Sequence, residues 1–92
     1  MTAADFEPRL HSRFRLVADA TAPFEVELID VSEGASPATG RPQFSLVFRG
    51  GPTPPLPQRI YAIEHDEIGR LELFLVPLGP DTEGQRYEAV FT

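Results

Sequence analysis

Hydrophobic and polar residues alternate with a period of two through most of the chain, the spacing that sends successive side chains to opposite faces of a strand. The alternation is clearest in Phe14-Arg15-Leu16, Phe24-Glu25-Val26-Glu27-Leu28 and Phe44-Ser45-Leu46-Val47-Phe48. It returns in Tyr61-Ala62-Ile63, Leu71-Glu72-Leu73-Phe74-Leu75 and Tyr87-Glu88-Ala89-Val90-Phe91. Turn formers separate these runs at 19–23, 32–42, 50–57, 66–69 and 79–84. Six short strands at this spacing predict an all-β domain, an antiparallel sheet curled into a small six-stranded barrel, with a two-layer sandwich as the alternative. One short N-terminal helix is predicted over residues 6–11, with Asp5 as its cap, Pro8 near its start, and Phe6 and Leu10 one turn apart. Such a helix would plug one open end of the barrel; an extended arm is the alternative.

Parity sets which residues share a face. With Phe14, Leu16, Phe24, Val26 and Leu28 all inward, pairing Leu16 with Val26 and Phe14 with Leu28 places Arg15 opposite Glu27 outside. Further on, Glu67-Ile68-Gly69 suits a three-residue loop with Gly69 in the left-handed region, pairing Asp66 with Arg70, Ile63 with Leu73 and Tyr61 with Leu75. The inner face then carries Tyr61, Ile63, Leu71, Leu73 and Leu75. Outward lie Ile60, Ala62, Phe74 and Val76, with Glu64 and Glu72 at the edge. That set is unusually apolar for a solvated face, and it is the candidate interaction surface. A symmetric copy, another protein or the N-terminal arm would have to cover it. Inside, Phe14, Phe24, Phe44, Phe48 and Tyr87 are expected to fill the barrel with side chains and leave no cavity.

Composition narrows the chemistry. At 92 residues the chain forms one domain, residues 1–92, and its lack of cysteine excludes disulfides and thiolate sites. A net charge of −6 argues against nucleic acid and anionic membrane surfaces as partners. No apolar run approaches the roughly 20 residues of a membrane span, and residues 1–5 show no signal-peptide pattern. A cytoplasmic location is therefore expected.

The short motifs favour structure over catalysis. His65 sits in Glu64-His65-Asp66-Glu67, but the pleat points neighbours to opposite faces and His11 is far away in sequence, so no metal site is assigned. His65 is expected to bond a backbone carbonyl at a hairpin base. No Gly-x-Ser-x-Gly elbow occurs, and Gly50-Gly51 runs into Pro52 rather than a helix. No catalytic, cofactor-binding or metal residue is assigned, and no enzyme activity is expected. The proline-rich run from Pro52 to Pro57 reads as a stiff connector, with a polyproline ligand as the minor alternative. The small, polar stretch from Ser32 to Gly40 reads as a long mobile loop, the natural place for binding on a rigid scaffold.

Phe44-Ser45-Leu46-Val47-Phe48-Arg49-Gly50, Leu56-Pro57-Gln58, Tyr61, Glu64-His65 and Gly69 form one part of a longer pattern. Leu73-Phe74-Leu75-Val76-Pro77, Gly79 and Arg86-Tyr87-Glu88-Ala89-Val90-Phe91 complete it. Over residues 14–92 the chain resembles an uncharacterised bacterial family of about ninety-residue proteins known only as a domain of unknown function. A bacterial source also fits a composition in which every cation is Arg, with neither Lys nor Asn. The resemblance implies a small β-domain, carries no ligand residues, and brings a loose association with tail-collar-like phage gene neighbourhoods. The expected function is a non-enzymatic protein-interaction or assembly module, bound to a protein partner or to itself as a homodimer. The alternative is a small-ligand-binding β-barrel.

Overall fold

A computed structural model describes residues 2–18, 23–35, 37–52 and 55–91. Helix α1 (Ala3–Phe6) runs into a 3-10 turn (Glu7–Arg9), and six strands follow: β1 (Arg13–Val17), β2 (Phe24–Ala35), β3 (Pro42–Gly50), β4 (Arg59–His65), β5 (Gly69–Asp81) and β6 (Gly84–Phe91). Every neighbouring pair is antiparallel. The strand order β1-β2-β3-β6-β5-β4 returns to β1, so the sheet closes into a ring as the barrel reading predicts. Closure leaves each strand a neighbour on both sides at the waist and turns alternate side chains into one interior.

That interior is filled. Phe14, Leu16, Val26, Leu28, Leu46, Phe48, Ile63, Leu75 and Tyr87 are buried within one cluster, as alternation predicts. Phe24 and Phe44 pack against it from partly buried positions nearer the ends. Phe14 meets Phe48 edge-on, with ring centroids 5.3 Å apart. The two ends are closed differently. At one, Phe6 is wholly buried, 5.9 Å from the ring of Phe44 and 5.6 Å from that of Phe91, so the N-terminal segment is a plug and not a free arm. At the other, the proline-rich connector is tied down: the buried Tyr87 hydroxyl accepts the Leu56 amide at 2.8 Å, and the Tyr61 hydroxyl donates to the Pro57 carbonyl at 2.7 Å. These bonds fit a stiff connector; Thr53 and Pro54 lie outside the described residues.

The helix differs from expectation in its bounds. It starts at Ala3, with Thr2 as its N-cap residue, and Asp5 works from the third helical position by accepting the Thr2 amide at 2.8 Å. Leu10 is 40% exposed and His11 takes a left-handed φ of 70°, so the chain has left the helix before reaching them. Pro8 is accommodated in the 3-10 turn, where its missing amide breaks no longer helix.

Both predicted hairpin registers are off by two residues. Phe14 pairs with Val26 and Arg15 with Glu25; the Arg15 guanidinium reaches across β4 to Asp66 at 3.0 Å, and Arg13 takes Glu25 at 2.9 Å. In the other hairpin, His65 pairs with Gly69, Ile63 with Leu71 and Tyr61 with Leu73. Alternation determines the face but is blind to a slip of two, which returns every side chain to the same side. Backbone and side-chain bonds at the strand ends select the observed registers. The Leu28 carbonyl accepts the His11 amide at 2.7 Å, and His65 closes the Asp66-Glu67-Ile68 loop. Gly69 is left-handed as predicted, at φ 92°.

Two bulges reset parity, the first where the adjacent apolar residues Leu28-Ile29 interrupt the alternation. In β2 the register shifts between Leu28 and Asp30, so Ile29 is an extra residue and the inward positions change from Leu28 to Val31 and Glu33. In β5 a second shift lies between Pro77 and Gly79. The expected loop from Ser32 to Gly40 is correspondingly shorter. Ser32, Glu33, Gly34 and Ala35 are strand, paired with Ser45, Phe44, Gln43 and Pro42. The partner strand β3 extends past the barrel rim and supplies backbone bonds that override weak local preference.

Candidate functional site

Ile60 and Phe74 are direct cross-strand partners on β4 and β5, and both point outward. They are 61% and 51% exposed. On the far side of β5, Val76 pairs with Glu88, and Val90, two residues further along β6 and on the same outer face, is 52% exposed. Ile60, Phe74 and Val90 thus lie on the outer face of three adjacent strands, a row in strand order in which Ile60 and Phe74 are direct partners. Isolated apolar side chains on a surface are ordinary, whereas a contiguous row of large ones marks a contact surface.

The other predicted members behave differently. Ala62 lies outward by parity but is buried, because its small methyl group sits between Val17 and Glu72 on the flanking strands. Val76 is half-buried. Glu72 is exposed opposite Ala62, as expected of a rim. Glu64 is committed within the chain: it lies 3.7 Å from Arg15 and accepts from Arg70 at 3.2 Å. The N-terminal segment, whose Ala3 and Phe6 turn into the barrel end, does not cover Ile60 or Phe74. Val90 escaped the sequence reading although it holds the outward position of Tyr87-Glu88-Ala89-Val90-Phe91; following the β5 register onto β6 would have found it.

His65 is buried at the base of the β4–β5 hairpin, and its Nδ1 accepts the amides of Glu67 at 3.0 Å and Ile68 at 3.4 Å. The expected bond to a backbone carbonyl is therefore replaced by bonds from backbone amides. An Nδ1 that accepts leaves the proton on Nε2, which lies 3.2 Å from Ser12 Oγ, and that hydroxyl donates to the Arg9 carbonyl at 2.6 Å. The ring also packs 4.5 Å from Phe14. Nδ1 thus holds the hairpin's own turn, and Nε2 ties the hairpin to Ser12 just ahead of β1. His11, 3.0 Å from Glu27, is on the surface elsewhere. Among the described residues no three metal-ligating side chains converge.

A second charged cluster ties the β5–β6 turn to β3. Asp81 Oδ1 accepts the amides of Glu83 and Gly84, at 2.8 and 3.0 Å, while its Oδ2 accepts from Arg49 at 2.9 Å. The Glu83 amide and the Arg49 guanidinium hold the Asp81 carboxyl below the usual carboxylate range, and the same bond raises Arg49. This cluster is a turn clasp.

A cleft of about 450 Å³ lies at the plugged end, between α1 and the β2–β3 hairpin. Phe44 and Phe91 line it as a stacked pair with centroids 4.5 Å apart, flanked by Thr2, Ala3, Glu33, Pro42 and Gln43. Among the described residues no helix is long and apolar enough to cross a membrane. No curated protein and no solved structure matches the chain. A family model does match it over residues 1–91, and the chain belongs to that family, the domain of unknown function DUF6916.

Proposed function

We propose that the protein is a non-enzymatic interaction module that docks a protein partner on the outer face of β4, β5 and β6. The observation that carries this reading is the row Ile60, Phe74 and Val90, each more than half exposed on neighbouring strands. Burying such side chains contributes roughly 1.5–3 kcal/mol apiece, enough for three to anchor an interface. Glu72 and Glu88 border the row and supply a polar rim, which favours a partner with basic residues around an apolar centre. The interior supports a binding module more than a barrel with an internal ligand, because Phe14, Phe48 and Tyr87 occupy the space a ligand would need. A bacterial setting and a role in phage-tail-like assembly belong to this proposal and rest on the sequence resemblance.

Affinity capture from a bacterial extract tests it, with the wild-type chain compared against Ile60→Glu and Val90→Glu. These substitutions sit on different strands at opposite ends of the row. Both should lose the same captured protein while keeping the wild-type circular dichroism spectrum. Retention of that protein by both variants would remove the row from the function.

A further inference from the structure

The cleft at the plugged end sets a carboxylate beside a stacked aromatic pair. Its floor is aromatic: Phe44 and Phe91 stack within 8° of parallel, and Phe6 braces both from beneath. Its wall carries a carboxylate. The bulge at Ile29 brings Glu33 onto the same side of the sheet as its cross-strand partner Phe44, which itself pairs with Phe91. Glu33, Phe44 and Phe91 therefore stand in one row across β2, β3 and β6. Most acidic side chains at the strand ends are engaged, with Glu25, Glu27, Glu64, Asp66 and Asp81 each holding an Arg or His. Glu33 has no such partner among the described residues.

We propose that this cleft is a binding site for a basic side chain, arginine or lysine, presented by an extended peptide. A carboxylate beside aromatic rings selects for a cation on an apolar stem. The stem and the guanidinium or ammonium lie against the rings, and the charge meets Glu33. A neutral occupant would strip water from the carboxylate without replacing it, and an anion would be repelled by a chain of net charge −6. The volume suits a side chain with some flanking backbone. The peptide form follows from β2. Strand β1 pairs with it only from Phe24 to Glu27, and beyond Leu28 the described strands place β3 alone beside it. The stretch from Asp30 to Ala35 thus has no second strand beside it; α1 packs against β2, and an extended segment would pair with the part of this edge that α1 leaves free.

Solution NMR of the isotope-labelled full chain tests this with three probes: a blocked Ala-Arg-Ala peptide, the same peptide with neutral citrulline for arginine, and n-butylguanidinium. The arginine peptide should give saturable shifts confined to Gly34, Phe44, Phe91 and their neighbours. Citrulline in the peptide, or Glu33→Gln in the protein, should each weaken binding by about tenfold or more, the scale of a lost charge-assisted contact. Because Glu33 has no partner among the described residues, the Glu33→Gln spectrum should otherwise match the wild type. Butylguanidinium should bind at the same residues but more weakly than the peptide. No saturable shift at these residues, or equal binding by Glu33→Gln, overturns the site. Butylguanidinium binding as tightly as the peptide overturns the strand-edge component and leaves a site for small organic cations.

Discussion

Phe48→Ala removes a ring from the middle of the barrel. Phe48 is fully buried, its cross-strand neighbours are Leu28 and Tyr87, and its ring meets the Phe14 ring edge-on at 5.3 Å. Truncating a buried Phe costs about 3–5 kcal/mol, part transfer and part cavity. The upper half of that range is expected here, because the cavity walls belong to strands locked into a closed hydrogen-bonded ring and cannot collapse inward. At about 0.05–0.15 kcal/mol per residue, a 92-residue domain has roughly 5–14 kcal/mol in total, so the variant loses from about a third to all of its stability. For a domain of this size each kcal/mol moves the melting midpoint by about 4–8 °C, which predicts a fall of at least about 12 °C. Thermal and urea denaturation followed by far-ultraviolet circular dichroism measures it. Phe48→Leu, which conserves most of the volume, should cost less than about 1.5 kcal/mol. A Phe48→Ala midpoint within about 5 °C of wild type would refute the assignment of Phe48 to a rigid core.

Gly69→Val should cost about 1–3 kcal/mol in urea denaturation, since φ is 92° and a Cβ there would touch nothing, which leaves backbone strain as the whole cost; Gly69→Asn should cost distinctly less. The turn clasp predicts an acid limb. Because folding lowers the Asp81 pKa, its stabilisation is complete above the ordinary carboxylate value of about 4 and is lost as pH falls through that value toward the lowered one. Asp81→Asn keeps an oxygen for the turn amides but no charge for Arg49, so its urea midpoint should fall less steeply than the wild type between about pH 5 and pH 3. Equal slopes would mean that the clasp does not contribute.

Ahead of the bulges in β2 and β5, the face of most strand residues was legible in the sequence, because period-two alternation is a direct consequence of the pleat. Phe14, Leu16, Val26, Leu46, Phe48, Leu75 and Tyr87 are inward on that basis alone. Pairing was less legible. The choice between Arg15–Glu27 and Arg15–Glu25 depends on which backbone groups of His11 and Ser12 meet Leu28, a long-range event with no local signature. The β2 bulge left a mark at Leu28-Ile29, where two adjacent apolar residues move the apolar positions from Phe24, Val26 and Leu28 to Ile29 and Val31. Alternation alone does not distinguish a strand that ends there from one that bulges and runs on. The continuing strand carries Glu33 to the cleft, which is why the cleft was not read from the chain. The candidate surface was half legible. Ile60 and Phe74 followed from parity, whereas the burial of Ala62 and the contribution of Val90 needed the neighbouring strands in place.

A docking face on β4, β5 and β6 requires Phe74 to be a surface residue whose contact lies outside the chain, and Phe74→Glu measures both halves at once. Its thermal midpoint should stay within about 5 °C of wild type, because a side chain 51% exposed opposite Ile60 loses little packing when it becomes charged. In the same preparation, capture of the partner held by the wild-type chain should be abolished. A midpoint lowered by more than about 10 °C would show Phe74 packed within the domain, and undiminished capture would show the partner held elsewhere; either result contradicts the outer face of β4, β5 and β6 as the docking surface.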